Sequence, residues 1–254
     1  MDVVVRELDG MAEWTAAGSL YREVFGYTDP EWGLNPRLLA ALRENGGTVI
    51  GALTGAGDLV GFCYGFPGVT GREHYHYSQA AVVAAAAQGA GVGRLLKVAQ
   101  AAAARRTGAR TMRWTFDPYA LRNAHFNFAV LGATGIRLLP DFYGEAGTDR
   151  VLVSWDLDRA VPHLTDTDPL PGASGRTRIG SDGPGSGPSG GGRRTSVVVA
   201  ADDRRAAPDP ADRAWLRQEL LAQFADGRRL VGVVRPGGDP GRAAYLFAIG
   251  EDGA

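Results

Sequence analysis

The segment that most restricts what this chain can fold into is VVAAAAQGAGVGRLLK, which runs from Val82 to Lys97. Its hydrophobic start predicts a strand and its end predicts a helix, with the turn QGAGVG between them. Three glycines in five positions let the backbone bend sharply and approach a ligand without interference from Cβ atoms. The helix start adds unpaired N–H groups and a partial positive charge, and Arg94 and Lys97 near that start would add full ones. The segment therefore predicts a strand-to-helix turn that can cradle a phosphate.

The turn does not match two common phosphate-binding motifs. A P-loop ends in Gly-Lys-Ser/Thr, whereas here Gly93 is followed by Arg94 and Leu95. A dinucleotide-binding turn needs a third glycine, where this chain has Leu96. A tight turn that binds no ligand also stays open as an explanation of these glycines.

Strands and helices are expected to alternate over residues 1–157. Hydrophobic periodicity and turn residues predict the order β-α-α-β-β-β-α-β-α-β-β. Asn35-Pro36 opens the second helix, Gly108 ends the third, and Thr111 to Phe116 forms the strand after it. This order predicts an α/β fold in which helices cover the faces of a mixed sheet.

The domain organisation follows from a break in composition. Residues 161–194 are dominated by Pro, Gly, Ser, Thr and Asp, so we expect a disordered linker there. It separates a body, residues 1–160, from a C-terminal extension, residues 195–254. The extension is predicted to form a strand, an amphipathic helix near Pro210 to Phe224 and a hairpin. Because so few elements make a thin core, we expect the extension to pack on the body.

Composition excludes several classes of protein. A net charge of −1 argues against binding nucleic acid through bulk electrostatics. A single cysteine, Cys63, cannot form an internal disulfide and fits a reducing compartment. No apolar run is long enough for a membrane span, and the N-terminus lacks the layout of a signal peptide. We therefore expect a cytoplasmic protein. Of its 27 basic residues, Lys97 is the only lysine.

The turn and the segments after it resemble those of the GNAT acyltransferases. Gln88, Gly91 and Gly93 fit every position of that family's pyrophosphate loop, [RQ]-x-x-G-x-[GA]. The element order over residues 1–157 is similar to the GNAT fold. The stretches RWTFDPYALRNAHFNFAVLGA, LLPDFYG and RVLVSWDL look like an uncharacterised bacterial branch of GNAT-like proteins, as does the C-terminal helix-hairpin extension.

The resemblance implies an acyl-CoA-dependent N-acyltransferase that acts on the amine of a small molecule by direct transfer. Acetyl-CoA is the default donor, no metal is implied, and a homodimer is left open. Backbone groups of the fourth strand would bond the pantetheine arm, the loop would hold the pyrophosphate, and a helix asparagine would contact CoA. The implied cofactor-binding residues are Val82, Val83, Gln88, Gly89, Ala90, Gly91, Val92, Gly93, Arg94 and Asn123.

The catalytic residues do not follow directly from the resemblance, because the chain departs from the family's pattern. Phe128 stands where relatives often carry a proton-donating tyrosine. The candidate base is Asp117, at the end of the fifth strand, although an Asp-Pro pair also forms turns. The candidate acids are Tyr119 and Tyr143. A non-catalytic module of GNAT fold that binds or senses acyl-CoA therefore remains the alternative.

A metal site is not expected. His74 and His76 alternate on the fourth strand, but no third ligand lies at a suggestive spacing. Cys63 lies in a hydrophobic strand and is expected to be a core residue, not a nucleophile.

Overall fold

The computed structural model describes residues 2–159, 179–180, 195–201, 209–234 and 242–249. Of the predicted linker, 161–194, only Ile179–Gly180 falls within these ranges, and it forms a short strand. The rest of the linker lies outside the described residues, as does the turn of the predicted C-terminal hairpin.

The described residues form two compact units. One contains residues 2–114 and 156–159, and the other contains residues 115–155 and those beyond 178. The domain boundaries at 160 and 195 stay a prediction.

The first unit contains five strands and three α-helices among its described residues: β1 (Val3–Glu7), α1 (Gly10–Phe25), α2 (Pro36–Glu44), β2 (Thr48–Thr54), β3 (Leu59–Thr70), β4 (Glu73–Val83), α3 (Val92–Arg106) and most of β5 (Thr111–Phe116). The start of α2 illustrates how local sequence sets an element. The Asn35 side chain accepts a hydrogen bond from the Arg37 amide, and Pro36 occupies the first turn.

Strands β1 to β4 pair in sequence order as an antiparallel meander, and β5 pairs with β4 in parallel. The β3–β4 ladder is irregular at one point. Tyr64 pairs with Ala80 and Gly65 pairs with Ser78, so Gln79 is an extra residue on β4. Such a bulge bends the strand and changes which side chains face each layer.

Buried side chains form a core on each face of this sheet. One cluster joins Leu8, Leu20 and Leu39 to Phe62 and Val82. The other places Leu96 of α3 with the strand residues that face it, Ile50, Cys63 and Val83 among them. The expectation that Cys63 is a core residue is confirmed, since its side chain is fully buried.

The second unit begins at the end of β5 and contains two helices and six further strands among the residues described: α4 (Leu121–His125), β6 (Thr134–Leu139), β7 (Arg150–Asp156), β8 (Ile179–Gly180), β9 (Thr195–Ala201), α5 (Pro210–Ala225), β10 (Arg228–Val234) and β11 (Arg242–Ile249). The strands pair antiparallel in the order β7-β6-β10-β11-β9-β8. Strand β10 thus pairs with β6, through Leu230 and Gly135. The helix α5 buries Leu216 and Leu220, and its Phe224 ring meets Phe247 edge-on.

The predicted α/β class, a mixed sheet with helices, is confirmed. Two parts of the structure differ from what the sequence pattern predicts. The pattern predicts one helix over Asn123 to Leu131, whereas the structure has a turn of α-helix, Leu121–His125, followed by a π-helical turn, Phe126–Val130. The pattern also predicts strands over Leu59 to Phe66 and Tyr75 to Val83, whereas β3 extends to Thr70 and β4 begins at Glu73, because a tight turn joins them. No described helix combines the length and the apolar character needed to cross a bilayer.

Candidate active site

The predicted phosphate loop lies in the first unit, between the end of β4 and the start of α3. A 3-10 turn, Ala85–Ala87, leads into it. Gly89 has a φ of 82° and Gly91 a φ of 80°, values that glycine adopts without strain. The Gln88 side chain donates from Nε2 to the Val83 carbonyl at 3.2 Å, which closes the loop on the strand before it.

The loop presents a row of backbone donors. The amides of Arg94 and Leu95 donate to the Gly91 carbonyl, at 3.0 and 3.2 Å. Within the described residues, no acceptor is found for five consecutive amides, those of Gly89, Ala90, Gly91, Val92 and Gly93. They stand at the N-terminus of a 15-residue helix, where the helix dipole favours an anion.

The loop has room and hydrogen-bond donors for a phosphate group. A Cβ atom at Gly89 or Gly91 would meet no heavy atom within 4 Å, so the surface above both residues is open. The Arg94 side chain is exposed and adds a positive charge on the first turn of the helix. Backbone amides with a nearby guanidinium are the donor set that phosphate oxygens require.

Strands β4 and β5 pair over only three register positions, from Tyr75 with Thr111 to Tyr77 with Arg113. Strand β4 continues for six residues beyond Tyr77, to Val83. In the part of the chain that the structure describes, no strand pairs with this edge of β4 from Ser78 onward. The edge offers backbone groups to an extended ligand.

The backbone N–H and C=O groups of successive β4 residues point alternately toward β3 and toward this open edge. The Ala84 amide donates to the Val60 carbonyl of β3, so the amide and carbonyl of Val82 also face β3. Those of Ala81 and Val83 face the open edge. Of the two residues predicted to bond a ligand through their backbones, Val83 faces the open edge and Val82 faces β3.

A chain of buried polar side chains connects α3 to the strands beneath it. Lys97 donates from Nζ to Ser78 Oγ at 2.8 Å, and Ser78 donates to Gln100 Oε1 at 2.7 Å. Gln100 donates to Thr48 Oγ1 at 3.0 Å, and Thr48 Oγ1 lies 2.9 Å from His76 Nε2. All five side chains are buried. The position of Lys97 near the helix start suggests that it adds its charge beside the phosphate loop. Its ammonium is instead buried between α3 and the strands, where it contacts Ser78 and Trp114.

The remaining predicted site residues lie in the second unit. Asp117 accepts from the Tyr119 amide through Oδ1 at 2.8 Å, so one of its oxygens stabilises the turn after β5. Asn123 is exposed on α4. Tyr143 is 57% exposed and has the Arg150 guanidinium 5.1 Å from its ring centre. Phe128 is buried against Phe116, so it contributes packing.

Tyr119 is held by partners that the sequence does not reveal. Its phenol lies 3.0 Å from Asp149 Oδ2 and 3.2 Å from the Arg213 carbonyl of α5, and donates its single proton to these oxygens. Burial, and then the hydrogen bond to the Asp149 carboxylate, raise the pKa of Tyr119. Asp149 is itself 1% exposed and lies 3.3 Å from Arg217 of α5. These contacts favour a structural role for Tyr119 over a role as general acid.

We expect Tyr119→Phe to lower stability without changing the pH dependence of any activity. The change leaves the buried Asp149 carboxylate without one of its donors, at a cost of about 1–3 kcal/mol. Thermal unfolding of both proteins and a pH–rate profile check this. Tyr143→Phe removes an exposed phenol and is the matched control. A basic limb lost from the profile in Tyr119→Phe alone would return the acid role to this residue.

Among the described residues, no group of three or more His, Cys, Asp or Glu side chains is arranged to hold a metal ion. His76 is buried against Thr48, and His74 is exposed.

Many solved structures resemble this chain, and two of them illustrate the likeness. A Desulfovibrio desulfuricans protein named as a GNAT-family acetyltransferase matches with 20% identity and a TM-score of 0.50, over 61% of this chain and 99% of its own. The Salmonella typhimurium protein yncA, named as an acetyltransferase and solved with its cofactor acetyl-CoA, matches with 20% identity and a TM-score of 0.51, over 65% of this chain and 100% of its own. No protein-family model matches the sequence, and no curated protein does.

Proposed function

We propose that this chain, which has the fold of the GNAT acyltransferases, transfers an acyl group from an acyl-CoA to the amine of a small molecule. The observation that carries the proposal is a row of five amides at the start of α3 that have no acceptor among the described residues. One 3-10 turn connects this row to the open edge of β4. A diphosphate and an amide-bearing arm are both parts of CoA, so one ligand would use both features.

The chain offers a partner for each part of that ligand. The amides from Gly89 to Gly93 would bind the diphosphate, with the Arg94 guanidinium beside them. The backbone groups of Ala81 and Val83 on the open edge would bond the amides of the pantetheine arm. Asn123, exposed on α4, is the further CoA contact that we propose.

The chemistry needs little from side chains. An acyl thioester is already activated, and the acceptor amine must only be held close to it in its neutral form. The Asp117 carboxylate, whose Oδ2 does not take part in the turn, is the base that we propose for removing the proton. Cys63 is no nucleophile, since burial raises the pKa of its thiol to about 12. The transfer is therefore direct, with an acetyl group as the proposed acyl group.

A second candidate is a module of the same fold that binds acyl-CoA without transferring the acyl group. The occupied phenol of Tyr119 favours it, because that proton is already donated within the fold. It shares the ligand and the loop with the first candidate and differs from it only in turnover. We propose the same cytoplasmic location for both, where a buried, reduced cysteine is stable.

Thermal unfolding with and without CoA, acetyl-CoA and ATP tests the binding. A ligand at about 100 times its Kd stabilises by roughly 2.7 kcal/mol, which raises the unfolding midpoint of a chain of this size by about 5–10 °C. We expect this rise with both CoA compounds and none with ATP. If no CoA compound raises the midpoint, the proposed function is wrong. Release of free thiol from acetyl-CoA with a panel of amines then separates the enzyme from the binding module.

A further inference from the structure

The Lys97 ammonium is buried without a counter-ion. Its side chain is 4% exposed, and its one hydrogen-bond acceptor in the described chain is Ser78 Oγ. The Trp114 ring centre lies 4.0 Å from Nζ and offers its π face to the cation. No carboxylate in the described ranges lies within ion-pair distance of Lys97. A buried charge with one hydrogen bond and no ion pair lowers the free energy of unfolding. Because such a residue does not help the fold, we look for a functional reason for it.

The polar chain beneath Lys97 offers it one hydrogen-bond acceptor among the described residues, Ser78 Oγ. Ser78 in turn donates to Gln100, and Gln100 donates to Thr48. Thr48 Oγ1 lies 2.9 Å from His76 Nε2, and the tautomer of the imidazole sets which of the two donates. His76 Nδ1 has no hydrogen-bond partner in the part of the structure described. Burial, and then the charge of Lys97, lower the pKa of His76 to about 4, so the imidazole is neutral.

The ammonium lies where β4 and β5 stop pairing, a place that we call the fork. Tyr77 and Arg113 form the last paired position of β4 and β5. Ser78 and Trp114, the two groups that contact Nζ, are the residues immediately after it on each strand. The cation thus lies at the fork, and among the described residues Ser78 Oγ is the one hydrogen-bond acceptor of its N–H groups.

We propose that Lys97 is a catalytic residue that gives its proton to the CoA sulfur as the thiolate leaves. This inference rests on the proposed function, because it requires an acyl-CoA in the fork. In the transfer, the amine nitrogen forms a bond to the acyl carbon and the C–S bond breaks, with the electron pair passing to sulfur. The Lys97 ammonium donates one proton to that sulfur and becomes a neutral amine. The proton that the acceptor nitrogen loses restores the ammonium through solvent, so the products are an amide and a thiol.

The surroundings of Lys97 suit this task. Burial lowers the pKa of Lys97 to about 8, close to the value of about 8.5 for an ordinary thiol. The titratable groups that face it are Cys63 on β3 and His76 on β4, and both are neutral. An arginine at this position would keep the charge but could not release a proton. In a chain whose other basic residues are all arginine, the single lysine stands at this point.

The experiment follows the thiol of bound CoA by its thiolate absorbance, over about pH 6–10, in the wild type, Lys97→Met and Lys97→Arg. We expect the wild type and Lys97→Arg to lower the pKa of the bound thiol by about one unit or more relative to free CoA, a ten-fold change in ionisation. Lys97→Met should abolish that shift. Thiol release from acetyl-CoA should fall in both variants, since neither donates a proton.

Stability separates this role from a structural one. Methionine fills a similar volume without a charge, so Lys97→Met should unfold at the same temperature as the wild type or higher. The stability difference between Lys97→Met and the wild type should shrink as the pH rises from about 8 to about 10.4. In that range the unfolded wild type holds a proton on Lys97 that the folded wild type has released, so the wild type gains stability with rising pH. A large loss of stability in Lys97→Met at every pH would assign the residue to the fold and overturn the proposal.

The thiol titration also separates a failure of the role proposed for Lys97 from a failure of the proposed function. Equal thiol titration in the wild type and Lys97→Met, with CoA bound to both, would overturn the role of Lys97 and leave the proposed function intact. Failure of the wild type to bind CoA would overturn both. If Lys97→Met does not fold, the comparison of the wild type with Lys97→Arg still decides, because unchanged thiol release in Lys97→Arg excludes proton donation by Lys97.

Discussion

Gly65→Ala should lower the midpoint of thermal unfolding by roughly 6–12 °C, which corresponds to about 3 kcal/mol for a chain of this size. Gly65 lies at the bulge where β3 pairs with β4. A Cβ atom there would overlap the Tyr77 carbonyl and approach His76 Nε2 to 2.6 Å and Gln100 Nε2 to 3.1 Å. The first neighbour is backbone, so only a shift of the two strands relieves the overlap. That shift would also disturb the hydrogen bonds that join His76 and Gln100 through Thr48.

Gly55→Ala is the matched control for this change. Gly55 lies in the turn between β2 and β3, and a Cβ atom there meets no heavy atom within 4 Å. It introduces the same methyl group, so the two variants differ in surroundings alone. If the unfolding midpoints of Gly65→Ala and Gly55→Ala differ by less than about 2 °C, or less than about 1 kcal/mol, then β3 and β4 are not packed closely enough at Gly65 to exclude a Cβ atom.

The elements of this fold could be predicted because their signals are local. Asn35-Pro36 marks a helix start, the glycines from 89 to 93 mark a turn, and β5 was expected over the residues it occupies. Each signal acts within a few residues of the structure that it determines. Hydrophobic periodicity then assigns strand or helix to the segments between such signals.

The polar chain under α3 could not be predicted, because its members are distant in sequence. Thr48 and Gln100 are 52 residues apart, and Ser78 and Lys97 are 19 apart. No periodicity links a threonine, a serine and a glutamine on three different elements. The signal that was available is compositional: a single lysine in an arginine-rich chain. It marks the residue without revealing its partners.

The contacts of Tyr119 could not be predicted from the sequence either. A tyrosine after a strand end looks like a site residue in the sequence. Its partners, Asp149 and Arg213, lie 30 and 94 residues away. Only the fold brings a carboxylate and a helix carbonyl to its hydroxyl, and those contacts favour packing over chemistry. The turn-forming contact of Asp117 is local, so the Asp-Pro pair predicts that contact, while its role as the base stays a prediction.

Gly91→Val should weaken the binding of CoA by about 100-fold, or about 2.7 kcal/mol, and abolish most of the thermal stabilisation by CoA. Two effects combine. At a φ of 80° a β-branched residue is strained, so the loop would change its conformation and scatter its row of amides. Any side chain at Gly91 would also occupy the open space above the donors, where the diphosphate is proposed to bind. The CoA-dependent rise of the unfolding midpoint and a calorimetric titration measure the loss.

Gly57→Val separates the loss of a binding site from the general strain of valine in a left-handed conformation. Gly57, in the turn between β2 and β3, has a φ of 91° and no atom within 4 Å of an added Cβ. Both variants should therefore be destabilised by similar amounts without ligand, since each forces a β-branched residue into the same region. Only Gly91→Val should bind CoA more weakly than the wild type. If both variants bind CoA as the wild type does, the amides of this loop do not hold the ligand. The α3 dipole would then be left without a diphosphate partner, and the proposed function would lose the observation that carries it.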